Sequence, residues 1–322
     1  MSRAGVKHLL IAFAGFFGSD VKGHSIHPMR ILPRHAFFAP TALLMLEASG
    51  STILDTLDPQ QYRDEAALYP MVGKVNGSGL SGSGVLLSGR WVLTAGHVAD
   101  FKTGGTFSAG GNSYTIESVL SHPSHSTLST SYDVGLLYLA AEVTGIETAS
   151  LYRFPQPEQL LGREAVWVGH GLGGTGLTGA QGPLDTRAFT NVIDGFTPRA
   201  GLPQPSFFAD FDNPAGTGNS LNSDPNPTHL EGNVTSGDSG GGVFIEIGGV
   251  SYLVGINSYT SGFSPGLNSK YGSLSGAAHL HFFHDWIFEQ TGITAVPEPS
   301  PMLTVLVGLG IILCARNRAG SG

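Results

Sequence analysis

Cysteine is almost absent from this chain of 322 residues: the one present, Cys314, lies in an apolar stretch near the C-terminus. The body therefore has no disulfide framework and no cysteine-based metal site, and its stability must come from a packed core. Charge is also scarce, at 12% of residues, and the net charge of −8 comes without any lysine- or arginine-rich block. A nucleic-acid partner then has no electrostatic basis. Long heptad or 3.6-residue repeats are missing too. With 47 glycines and 19 prolines, the chain reads as mostly β, with many short strands joined by tight turns. The twelve histidines are scattered, and no HExxH or comparable spacing appears, so neither a metal nor an organic cofactor is expected. His279, His281 and His284 sit in HLHFFHDWIFEQ, which is the clearest helix candidate, with Phe282, Phe283, Trp286 and Ile287 on its buried face.

Both ends read as addresses rather than fold. Residues 1–54 hold two overlapping export signals. One starts at Met1, with Arg3 and Lys7 ahead of LLIAFAGFFG. The other starts at Met29, with Arg30 and Arg34 ahead of AFFAPTALLML and the small residues Ala48, Ser49 and Gly50. The second is better placed, which makes Met29 a candidate start. At the other end, residues 293–322 contain an apolar run from Met302 to Ala315, about 21 Å long as a helix. Pro297, Pro299 and Pro301 separate this run from the body, and Arg316 and Arg318 close it with positive charge, which keeps the body outside. The order Pro-Glu-Pro, apolar span and basic end resembles the PEP-CTERM sorting signal of Gram-negative bacteria. That resemblance implies transient anchoring by a transmembrane helix over 302–315, removal of the tail by an exosortase-type enzyme, and a final location in the envelope or outside the cell.

Between the ends, residues 55–292 read as one domain. VLLSGRWVLTAGHV, SYTIESVLSHP, YDVGLLYLA, AVWVGHG, GGVFIEIGGV and SYLVGINSY are all strand-like runs broken by turns. Three of these places carry chemistry. VLTAGHV puts His97 at the end of an apolar strand among small residues. DVGLLYL puts Asp133 just ahead of an apolar run, where a carboxylate is costly to bury without a hydrogen-bonded partner. TSGDSGGGVF puts Ser239 in a tight glycine-rich loop.

A serine hydroxyl is a poor nucleophile at neutral pH and needs an imidazole to take its proton. A carboxylate on the other ring nitrogen fixes the tautomer and stabilises the imidazolium. His97, Asp133 and Ser239 supply those three groups, and the N–H groups of Gly237 and Ser239 are the candidate oxyanion donors. Such donors are worth about 3–4 kcal/mol each in the transition state.

TAGH, DVGLL and GDSGG, in that order, resemble the trypsin-like serine proteases over residues 70–290. The resemblance implies two six-stranded antiparallel β-barrels with a C-terminal helix, and a serine endopeptidase acting on protein or peptide substrates through an acyl-enzyme. It makes His97 the general base, Asp133 its orienter and Ser239 the nucleophile. By the same likeness Asn233 stands at the floor of the specificity pocket, where an aspartate would select Arg or Lys. Val234, Ser258, Tyr259 and Thr260 line the substrate-binding strand and pocket, which suits small, polar or apolar side chains.

Two departures stand out. Gly96 occupies a position where alanine is usual. The stretch that would be freed by activating cleavage to pair with Asp238, YPMVGKVNG at 69–77, has no basic residue immediately before it.

A non-catalytic binding or matrix protein on the same scaffold is the rival reading. An esterase of different fold would place Ser before Asp and His, opposite to the order here. Gly169, Gly171 and Gly174 have the spacing of a dinucleotide loop, but TGLTGAQGP after them is not a helix, so they read as a glycine-rich loop near the barrel interface.

Overall fold

The computed structural model describes residues 50–297, except 101, 127–130, 198–204, 218 and 263–267. The chain enters through β1 (Thr52–Ile53) and a short helix, α1 (Pro59–Ala66). Asp58 caps this helix by accepting from Gln60 N, and Pro59 fills the first turn, where no donor is required. Six strands follow: β2 (Val72–Gly77), β3 (Leu80–Leu86), β4 (Trp91–Thr94), β5 (Thr106–Ala109), β6 (Asn112–Ser121) and β7 (Gly135–Leu139). They close into a barrel in the order β2-β3-β4-β7-β6-β5. A single helical turn, α2 (Gly96–Ala99), follows β4. Val75, Val85, Leu93, Phe107, Ile116 and Leu137 fill the interior and are completely buried.

The second half contains β8 (Tyr152–Arg153), β9 (Glu164–Gly169), β10 (Leu172–Thr175), β11 (Gly179–Leu184), β12 (Arg187–Val192), β13 (Gly195–Phe196), β14 (Ser206–Asp210), β15 (Gly232–Asn233), β16 (Gly242–Ile247), β17 (Val250–Gly262) and β18 (Ser273–His279). Its main sheet has seven strands in the order β12-β9-β16-β17-β18-β14-β13, and a smaller sheet runs β11-β10-β1-β15. The core is aromatic. Trp167 stacks on Phe189 at 5.9 Å and meets Phe207 edge-on at 5.6 Å.

This half is not the closed six-stranded barrel expected from the sequence. At its open side, β12 and the turn after it approach β14, with Asn191 Nδ2 donating to Asp210 O at 2.7 Å and Asp194 N to Phe208 O at 3.0 Å. Among the described residues no strand ladder joins β12 to β14, so the sheet is curled but open.

Two boundaries also differ. Residues 50–54, grouped with the leader on sequence, belong to the fold, because β1 pairs in parallel with β10 and antiparallel with β15. At the other end β19 (Val296–Pro297) pairs with β8, so the body extends past 292. The proposed membrane segment 302–315 lies outside the described residues, and no helix among those described is long and apolar enough to cross a membrane.

The C-terminal helix is present as α3 (His284–Thr291), preceded by one 3-10 turn at Leu280–Phe282. It ends at Gly292, whose φ of 73° gives the left-handed C-cap. Phe283 and Ile287 are fully buried against the first barrel's core, and Trp286 packs beside them. Phe282 is 53% exposed instead of buried, since the change from 3-10 to α winding breaks the helical register there. Of the three histidines, His279 Nε2 faces Pro157 O and its Nδ1 accepts from His281 N, while His284 Nε2 faces Tyr152 O, and burial pushes His279 down to about 3.

Candidate active site

β4 carries the chain into α2, and this places His97 at the junction of the two halves. Asp133 lies just before β7, which pairs with β4 from Trp91↔Tyr138 to Thr94↔Gly135. That register sets the carboxylate beside the imidazole. His97 Nδ1 is 2.8 Å from Asp133 Oδ2, and the His97 backbone N–H donates to Oδ1 at 2.9 Å. The Asp133 side chain is 1% exposed, that of His97 32%. The aspartate is therefore sealed while the ring reaches solvent.

Ser258, in β17, donates its hydroxyl to Asp133 Oδ2 at 2.5 Å. Burial opposes ionisation of Asp133. The bonds from the His97 ring, the Ser258 hydroxyl and the His97 N–H outweigh it and hold the carboxyl below its ordinary range.

Ser239 comes from the second half, in the turn between β15 and β16. His97 and Ser239 line one cavity of about 170 Å³ together with Leu80, Ser81, Lys102 and Gly237. Lys102 is held there by bonds to Gly77 O and Leu80 O at 3.0 and 2.7 Å.

The turn is fixed from both sides. Ser83 in β3 donates its backbone N–H to Ser239 O at 2.7 Å and its hydroxyl to Gly237 O at 2.9 Å. Within the turn, Asp238 N–H donates to Thr235 O and Gly240 N–H to Asn257 O. The N–H groups of Gly237 and Ser239 have no such backbone partner among the described residues. Gly237 has φ +100°, a conformation that a side chain would strain, and a Cβ would meet His170 O at 2.9 Å.

Asp238 is completely buried, and desolvation pushes it up to about 6 against hydrogen bonds from Thr235 and Ser51. Its Oδ2 accepts from Thr235 N at 2.8 Å and from Ser51 Oγ at 3.0 Å, while Oδ1 has no hydrogen-bond partner among the described residues. The stretch 69–77, where sequence comparison placed the partner of Asp238, instead runs into β2 of the barrel. The glycine-rich loop at 169–174 packs its bare backbone on the same carboxylate: a Cβ at Gly171 would come within 2.4 Å of Asp238 Oδ2. It continues into β10, a strand and not a helix.

The remaining predicted residues separate into two groups. Val234, Ser258, Tyr259 and Thr260 line a cavity of about 180 Å³ with Thr235, Ser236, Ser239 and Asn257. Asn233 is not on that wall. It is fully buried behind it, with Nδ2 donating to Val234 O and Thr260 Oγ1 and Oδ1 accepting from Ser275 Oγ. Ser258 has its hydroxyl turned to Asp133, so it supports the charge network more than it contacts a ligand. Sequence reasoning missed Ser51 and Ser83, which lie in unremarkable serine- and glycine-rich stretches far along the chain from their partners.

Comparison with known families matches residues 60–287 to the family described as Trypsin. The chain belongs to the trypsin family. It is a serine-type endopeptidase, and a protease of this family binds protein or peptide substrates. Among solved structures it is similar to neuropsin, a serine protease expressed in the limbic system of mouse brain. The TM-score is 0.52 and the identity 18%, over 69% of this chain and 94% of neuropsin. At that identity the likeness speaks for the trypsin fold alone. No curated protein matches the chain.

Proposed function

We propose that this trypsin-family protein is an exported endopeptidase in which Ser239 attacks the peptide carbonyl and His97 takes and returns the proton. Asp133 holds the His97 tautomer, and the Gly237 and Ser239 N–H groups receive the oxyanion. Water then hydrolyses the acyl-enzyme. The observation that carries this reading is the sealed Asp133 carboxylate, bonded at once to the His97 ring, the His97 N–H and Ser258, beside a cavity shared by His97 and Ser239.

The pocket supports a substrate class. Its lining has no charged side chain, and its volume is about 180 Å³. Small uncharged side chains before the scissile bond suit it better than Arg, Lys or large aromatics. The leader-like sequence ahead of residue 50, with Met29 as the favoured start, and the PEP-CTERM-like tail support export, exosortase-type processing, and release or attachment in the envelope.

Labelling of the full-length chain by a fluorophosphonate probe tests the mechanism. Labelling that is lost in Ser239→Ala and after heat denaturation is expected. A folded protein that does not label would favour a binding scaffold instead. A peptide library cleaved mainly after Arg or Lys would overturn the pocket assignment.

A further inference from the structure

Asp133 has a second histidine beside it. His125 lies in the loop between β6 and β7, its side chain only 4% exposed. Nε2 is 3.3 Å from Asp100 Oδ2, and Nδ1 is 3.7 Å from Asp133 Oδ1. Nδ1 has no hydrogen-bond partner among the described residues. Asp100, just past α2, also takes the Ser121 hydroxyl at 2.6 Å on its other oxygen.

The ring occupies space left open by Gly96. A Cβ at 96 would come within 2.8 Å of His125 Cγ and Nδ1, so the usual alanine would collide with the imidazole. The glycine that departs from the family's motif and the buried histidine are thus two parts of one arrangement.

An ionised carboxylate only accepts hydrogen bonds, and a neutral imidazole has one N–H. Whichever nitrogen carries that proton, the other turns a lone pair towards a carboxylate. The doubly protonated ring faces both carboxylates with donors. We propose that His125 is a positioning residue for the catalytic centre, seated between Asp100 and Asp133 in the space left by Gly96. There it shares the Asp133 carboxylate with His97 and sets how strongly that carboxylate draws a proton onto His97. This rests on the assignment of His97, Asp133 and Ser239 as the catalytic triad.

The charged and titratable groups around the ring are Asp100 and His97 from α2 and its end, Asp133 ahead of β7, and His122 on the same loop. His122 is held below its ordinary range by burial and then by the nearness of His125. When the His125 ring carries both protons, its charge offsets part of the Asp133 charge and weakens the pull of that carboxylate on a proton at His97. Removing His125 should therefore raise the pH at which His97 titrates.

The test uses the full-length chain as wild type, Gly96→Ala, His125→Gln, His125→Ser and the Gly96→Ala/His125→Ser double variant. The His97 ring is titrated by NMR with labelled histidine, and the acid limb of kcat/KM is followed on a peptide. The expected result is an upward shift of both by about half a pH unit or more in the two His125 variants. Gly96→Ala should disturb the native site but add nothing in the His125→Ser background.

An unchanged His97 titration in a folded His125 variant would overturn the inference, even if stability fell. The two serine substituents of position 125 and the glutamine give independent chances of a folded sample. Ser239→Ala separates the assignments: persistence of hydrolysis in that variant sinks the triad, whereas the His97 titration still decides the role of His125.

Discussion

Ser51 donates its hydroxyl proton to Asp238 across 3.0 Å, joining two residues 187 positions apart, both almost fully buried. The start of the described chain is thereby tied to the turn that holds Ser239. Replacing Ser51 by Ala leaves a buried carboxylate short of one donor, at a cost of about 1–3 kcal/mol. A chain beginning at 55 loses β1 as well. Thermal melts should place Ser51→Ala below wild type and the truncated chain lower still, with fluorophosphonate labelling slowed in the same order. Equal melting and labelling of all three would show that this contact does not support the turn.

A group of buried acids makes stability depend on pH. Desolvation, with Asp210 nearby, raises Asp194 and pushes Asp212 up to about 7, and burial pushes Glu231 up to about 8. Folded values above the unfolded ones mean that the folded state binds more protons in between. The contribution is complete below about pH 4 and is lost as pH rises towards 7–8. Between pH 5 and 8 the melting temperature should fall, and Glu231→Gln should flatten that fall. A melting temperature that rises over this range would contradict the assignment.

Ser258 lines the pocket, but its hydroxyl is given to the Asp133 carboxylate. Ser258→Ala should lower kcat/KM roughly tenfold, as expected for one hydrogen bond to a charged group, through kcat more than KM. A change confined to KM would show that Ser258 acts as part of the pocket wall alone.

Ser83 connects the two halves through its N–H and its hydroxyl, and the hydroxyl also accepts from His170 N at 2.9 Å. Ser83→Ala keeps the N–H bond but removes the other two, so a loss of about 1–3 kcal/mol is expected in chemical denaturation. Labelling of Ser239 should slow as Gly237 is released. Unaltered labelling would place the rigidity of the turn elsewhere.

What could be read along the chain was local. His97, Asp133 and Ser239 each sit at the end of a strand or beside a glycine turn, where short-range pattern reports directly on structure. Closure of the second sheet could not be read, because it depends on whether β12 and β14 form a ladder, and a side chain of Asn191 bridges to Asp210 there instead. Phe282 was misplaced because one 3-10 turn resets a helical face without any mark in composition. Asn233 lies deeper than the pocket wall where it was expected, since Ser275 and Thr260, which seal it in, come from distant strands. Ser51 and His125 were invisible for the same reason: a serine or histidine acquires its role only from the carboxylate that folding brings to it.

The proposed base and its carboxylate belong to the closed barrel, whereas Ser239 is carried by the open sheet and held in place through Ser83. Neither half contains a working set of groups. On the proposed assignment, a molecule with only one half folded lacks a complete set of groups, so hydrolysis requires both halves to be folded and in contact through Ser83.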